Sequence, residues 1–193
     1  MKVEYEATFP NIDKDAIRRK LEQAGARLVR AEFLQKRVTF HLPEGHEISG
    51  GWARVRDEAG KITLSLKVID GTNIENQKEI LLEVNNFEDA RTLLATLGCR
   101  EKAYQENKRE LWVLDAVEIT IDEWPFLEPF VEIEGVSEEA VRSVSEKLSF
   151  NYKDALFCAV TTLYSQKYAL DENIINNQTH KIVFDMENPF IKR

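Results

Sequence analysis

Along this chain, short runs alternate charged with apolar residues at a period of two. Val3-Glu4-Tyr5-Glu6-Ala7 opens the series, and Phe130-Val131-Glu132-Ile133-Glu134 repeats it far downstream. Such a period gathers the charge on one face of a β-strand and the apolar side chains on the other. Trp52-Ala53-Arg54-Val55-Arg56 and the run from Lys61 to Lys67 follow the same rule, and Ala59-Gly60 between them predicts the tip of a tight hairpin. That register sets Arg56 against Thr63, Arg54 against Ser65 and Trp52 against Lys67. Ala53, Val55, Ile62, Leu64 and Leu66 share the opposite face. If helices cover the apolar faces, the charged faces curl toward one another and line a polar tunnel.

Helices are predicted from caps and spacing together. Asp13 to Ala24 carries Ile17 and Leu21 on one face and stops at Gly25, and Asn86 to Leu97 stops at Gly98. Ser137, followed by Glu138 and Glu139, opens a third helix with Val141, Val144 and Leu148 at helical spacing. A fourth is expected from about Lys153 to Tyr168. Residues 3 to 40 and 80 to 114 run in the same order: a strand, a helix ending in glycine, then a strand holding Lys36-Arg37 or Lys108-Arg109. Two related halves are therefore expected. From Asp171 the composition shifts to Asn173, Asn176, Asn177 and Gln178, then Ile182-Val183-Phe184. We read residues 171–193 as a C-terminal arm beside a body of residues 1–170, either docked as an extra strand or mobile. Glu123 to Pro129 reads as a loop over one tunnel end, and Gly50-Gly51 as a bend into the arginine strand.

With 193 residues, 43% hydrophobic and 31% charged, the chain suits one substantial globular core. No stretch approaches the roughly 18 apolar residues that span a bilayer, and the acidic start is unlike a secretory leader, so we expect a cytoplasmic protein with no membrane partner. The net charge of −8 argues against nucleic acid as a partner, without excluding an internal basic site. Cys99 and Cys158 read as buried free thiols. His41, His46 and His180 have no ligand spacing.

The hairpin face supplies the candidate chemistry. Surface strands ordinarily mix Lys with Glu, whereas Arg54, Arg56 and Lys67 stand together without an acid, and two arginines two residues apart form a fork suited to phosphate oxygens. Acid gathers on other strands. Glu79 and Glu83 share one face, Glu118, Thr120 and Asp122 another, and Arg109 lies in the strand ending near Leu114. Neighbouring carboxylates repel unless a divalent cation lies between them, and oxygen-rich sites suit magnesium or manganese.

Taken in order, these pieces resemble the CYTH family, the triphosphate-tunnel metalloenzymes, across about residues 3 to 168. The resemblance rests on Glu4-x-Glu6, Arg54-x-Arg56 followed by Lys67, the Glu79 to Glu83 strand leading into a helix, Lys108-Arg109, and Phe130-Val131-Glu132-Ile133-Glu134-Gly135. It implies an α+β fold: an eight-stranded antiparallel β tunnel with a charged interior and helices outside. It also implies that Glu4, Glu6, Glu132 and Glu134 serve catalysis and, with Asp122, hold magnesium or manganese. Arg54, Arg56, Lys67 and Arg109 are then the triphosphate-binding residues, and we group Lys108, Glu79 and Glu83 with them. The chain departs from the family motif Glu-x-Glu-x-Lys, since Thr8 stands at the lysine position; Lys36, Arg37 and Lys108 are the candidates to replace its charge. The function expected is a metal-dependent phosphohydrolase acting on a triphosphate-containing small molecule, possible as a homodimer. A class IV adenylyl cyclase making cyclic AMP, and a nucleotide-binding or polyphosphate-binding module with little turnover, stay open as alternatives.

Overall fold

The computed structural model describes residues 1–191. Its strands are β1 (Lys2–Val3), β2 (Tyr5–Phe9), β3 (Arg27–His41), β4 (Gly51–Glu58), β5 (Lys61–Ile69), β6 (Gln77–Val84), β7 (Arg100–Leu114), β8 (Val117–Glu123), β9 (Phe130–Gly135) and β10 (Lys181–Ile182). They form one sheet in the order β1-β6-β5-β4-β3-β7-β8-β9-β2, with β10 added beside β7. Because β1 and β2 are a single run interrupted at Glu4, the two ends of that order meet, and the sheet closes around eight strand positions. Closure passes along three partners. Val3 pairs with Lys78 of β6, the Gln77 amide donates to the Glu6 carbonyl at 2.7 Å, and Leu156 exchanges both backbone hydrogen bonds with Thr8.

Helices cover the outside, as the alternation requires. The helix α1 (Lys14–Gln23), capped by the Asp13 carboxylate, brings Ile17 and Leu21 against Ala7, Phe9, Ile121 and Val131. Val141, Val144 and Leu148 join the same cluster from α3 (Glu138–Lys147) and its C-cap. On the other side α2 (Phe87–Thr96) covers Val38, Phe40, Ala53 and Val55 with Ala90 and Leu94. Apolar faces thus leave water outside the barrel, and the charged faces are left to its interior.

The hairpin has the expected register, Trp52 opposite Lys67, Arg54 opposite Ser65 and Arg56 opposite Thr63. The two halves also correspond: each runs strand, helix, then a three-stranded meander, and the long strands β3 and β7 that follow the helices pair with one another. One helix differs from expectation. The fourth begins only at Val160, as α4 (Val160–Tyr168), because the backbone groups of Leu156 are committed to Thr8 and hold that stretch extended. Tyr152–Asp154 is a short 3₁₀ turn.

The C-terminal segment is docked, not loose. It forms α5 (Glu172–Asn177), pairs β10 in parallel with Tyr104 and Gln105 of β7, and buries Ile175, Ile182 and Phe190 against Trp124, Phe130, Leu163 and Tyr164. Positions 192 and 193 of the arm lie outside the described residues. No helix among the described residues is long and apolar enough to cross a membrane.

Candidate active site

Strand pairing builds two walls of opposite charge. On one, Arg37 of β3 lies opposite Arg56 of β4, and Thr39 lies opposite Arg54. Facing inward beside them are Lys67 of β5 and Arg109 of β7. On the other wall Glu6 of β2 lies opposite Glu134 of β9, which in turn lies opposite Glu118 of β8. Like charges set directly opposite each other destabilise a sheet, so each wall calls for counter-charge from inside the barrel.

Part of that counter-charge is internal. Arg54 donates to Glu79 at 2.9 Å, Lys67 lies 2.8 Å from Glu4, and Arg56 is paired with Glu58. Arg109 grips both oxygens of Asp122 at 2.9 and 2.8 Å and also reaches Glu132 at 2.5 Å. The pairing is incomplete. The Nε–H groups of Arg37, Arg54 and Arg56, an N–H of the Gln35 amide and the Thr63 hydroxyl are buried without a hydrogen-bond partner among the described residues. Buried donors without partners cost on the order of 1–3 kcal/mol each. Collected on one wall, they are free to donate into the cavity.

Proton affinities report the same crowding. Burial, then the charge of Glu132, lifts the Glu6 carboxyl well above the usual carboxylate range. Burial raises Glu4 to about 7 against the pull of Lys67, while Glu79, despite its burial, is held down to about 2 by Arg54 and Lys67. Burial and neighbouring Arg54 bring Arg56 down to about 10. Glu4 and Glu79 also share a hydrogen bond, so the raised and lowered values belong to one pair.

Both walls open onto a cavity of about 580 Å³ lined by Glu6, Arg37, Arg54, Arg56, Lys67, Arg109 and Glu132. His41, Trp52, Lys102, Cys158, Thr161 and Asn176 also line it. The CYTH domain matches residues 2–162. The chain belongs to the CYTH domain family. No curated protein matches it. Among solved structures, a conserved hypothetical protein from Pyrococcus furiosus is 24% identical, with a TM-score of 0.69 over 83% of this chain and 99% of that one. A proposed adenylate cyclase from Vibrio parahaemolyticus has a TM-score of 0.72 at 13% identity, covering 85% of this chain and 98% of that one. A protein from Hippeastrum, described as a proposed adenylyl cyclase with a dominant triphosphatase activity, has a TM-score of 0.56 at 12% identity over 86% and 96% of the two chains. At these identities the likeness is one of fold.

Within this CYTH domain the residues singled out from sequence fall into three groups. Glu6, Arg54, Arg56, Lys67, Arg109 and Glu132 line the cavity. Glu4 and Glu79 engage the lining cations Lys67 and Arg54, and Glu134 lies in register with Glu6. Asp122, Lys108 and Glu83 are placed otherwise. Asp122 is fully buried, and its oxygens are taken by Arg109, Asn107 and Thr120, so it serves as an anchor for Arg109. Lys108 points out of the barrel to Glu123 and over the Phe184 ring, because its neighbour Arg109 takes the inward face. Glu83 lies beyond the end of the β1 pairing, with its side chain 72% exposed.

Gln35 and Asn107 carry no signal in the sequence reading, where Arg37 enters only as a candidate to replace the charge absent at Thr8. Gln35, Arg37 and Thr39 do alternate with Val38 and Phe40, but the charge on Lys36 masks the pattern. The lining residues Thr161 and Asn176 come from α4 and α5, beyond any strand signal. Trp124, from the loop expected over one tunnel end, is buried, lines the cavity and packs edge-on to Tyr164. The loop is pinned there by Tyr164 and Tyr168, whose hydroxyls donate to the carbonyls of Pro125 and Phe126.

The acid wall offers only oxygen donors, which suits a hard divalent cation. No three His, Cys, Asp or Glu side chains among the described residues converge as they stand on one metal position. Glu4 and Glu132 are instead turned onto Lys67 and Arg109.

Proposed function

We propose that this protein is a divalent-metal-dependent phosphohydrolase that binds a triphosphate along its tunnel and cleaves the terminal phosphoryl group. The observation that carries the reading is the set of unpartnered buried donors on Arg37, Arg54, Arg56, Gln35 and Thr63, gathered on a wall that faces carboxylates across one cavity. A triphosphate carries about four negative charges, and phosphoryl transfer depends mainly on positioning and charge neutralisation. Arg54, Arg56, Lys67 and Arg109 hold the phosphate chain. Glu6, Glu132, Glu134 and Glu4 are the residues that would hold the metal, magnesium or manganese, which neutralises phosphate oxygens when bound. A carboxylate of the acid wall that does not hold the metal takes the proton of the attacking water as the water's oxygen bonds to the terminal phosphorus. The bond to the bridging oxygen breaks, and the arginines retain the leaving oxyanion.

Trp52 also lines the cavity and offers an aromatic surface to an organic group. That feature supports the second reading, a class IV adenylyl cyclase, in which a nucleotide's own hydroxyl is the nucleophile. Incubating the protein with tripolyphosphate, thiamine triphosphate and ATP, each with magnesium or manganese, and resolving the products separates the two. Orthophosphate release supports the hydrolase; cyclic AMP with pyrophosphate replaces it by the cyclase. Tight binding with no product over hours would leave only the binding module. If Arg54→Gln and Glu132→Gln both preserve metal-dependent turnover, the site is wrongly assigned.

A further inference from the structure

Arg37 and Arg54 are the most buried cations of the tunnel, at 6% and 7% exposure. Arg54 has the Glu79 carboxylate; Arg37 has no ion-pair partner among the described residues. Its guanidinium donates to two neutral acceptors, the side-chain oxygens of Gln35, at 2.9 Å, and of Asn107. Asp122, the nearest carboxylate along that chain of contacts, is reached only through Asn107, whose amide donates to it at 2.6 Å while Arg109 occupies both of its oxygens. One face of Arg37 stacks over Trp124 at 4.6 Å from the ring centroid, which fixes the plane of the fork. Its Nε–H remains unpartnered, and Arg56 lies directly across the β3–β4 pair.

A buried guanidinium with only neutral partners, set opposite a second guanidinium, is costly in the empty protein. Burial together with Arg54, Arg56 and Arg109 lowers its hold on its proton. The same arrangement becomes favourable once an anion sits between the two forks, since each then gains charge-assisted hydrogen bonds. Of the residues able to make up for the uncharged Thr8, Lys36 is exposed on the outer face and Lys108 is bound to Glu123 outside, which leaves Arg37.

We propose that Arg37 is a substrate-binding residue, clamping the phosphate chain jointly with Arg56 and supplying a tunnel cation that the Glu-x-Glu-x-Thr motif lacks. This rests on the reading of the tunnel as a triphosphate site. A merely structural arginine would act differently: its loss would weaken the empty fold and leave anion binding alone.

The test titrates tripolyphosphate into wild type, Arg37→Gln, Arg37→Lys and the outward-facing control Lys36→Gln, by calorimetry, and records melting temperatures with and without tripolyphosphate. The clamp predicts that Arg37→Gln weakens binding about 10- to 100-fold, the loss of one or two charged hydrogen bonds. Its melting temperature without ligand should equal or exceed that of wild type, and the rise produced by tripolyphosphate should shrink. Arg37→Lys keeps the charge but not the fork, and should fall between the two; it also serves if Arg37→Gln does not fold. Lys36→Gln should bind as wild type does. Binding by Arg37→Gln, or by Arg37→Lys in its place, within twofold of wild type overturns the clamp while leaving the tunnel reading intact. Failure of wild type itself to bind tripolyphosphate overturns the tunnel reading first.

Discussion

Burial lifts the Glu4 carboxyl to about 7, so the folded protein holds a proton there that the unfolded chain releases near 4.5. Stability tied to this group is complete below pH 4.5 and declines as the pH rises through 7, the direction opposite to an ordinary salt-bridged carboxylate. Glu79 runs the usual way, its contribution present above 4.5 and lost as the pH falls toward 2. In metal-free buffer the melting temperature of Glu4→Gln should therefore change less between pH 5 and 8 than that of wild type. Equal slopes in the two proteins would show that Glu4 is not the titrating group. At this scale the sequence was most legible where alternation was clean. Glu6, Arg54, Arg56, Lys67 and Glu132 read correctly as inward-facing, but Lys108 and Arg109 are adjacent charges on a twisted strand, and only the register decides which one enters the barrel.

Caps and glycines placed three helices to within a residue or two. Asp13, Asn86 and Ser137 each accept a backbone N–H at a helix start, as their spacing to the apolar stripe implied. The fourth helix is shorter than its apolar spacing predicts because the stretch before it is recruited by Thr8, a contact between residues far apart in the chain. Gly50, at the entry to the arginine strand, has φ +67°, and a Cβ there would run into the Ile69 carbonyl. Gly25 has φ +79° with open space around it. Gly50→Ala should consequently lower the melting temperature far more than Gly25→Ala, whose penalty is backbone strain of about 1 kcal/mol. Equal shifts would place the Gly50 constraint in φ alone.

At the scale of the whole molecule, the C-terminal segment is part of the fold. Phe190 is buried against Tyr164, Tyr168 and Phe126, so Phe190→Ala should cost about 3–5 kcal/mol, measured by urea denaturation. A loss below about 0.5 kcal/mol, the size of an ordinary surface change, would mean that the segment is not docked in solution. The chain's polar/apolar alternation determined by itself that strands would carry one charged and one greasy face, that helices would cover the greasy one, and that a hairpin would align Arg54 with Ser65. Those features depend on neighbours in sequence, through the two-residue pleat and the helical turn. Tertiary structure alone decided which carboxylate meets which cation, that Asp122 is spent on Arg109, and that Arg37 is left without a counter-charge among the described residues. Ion pairing inside a closed barrel depends on distances between strands remote in the chain, and the local period carries no record of them.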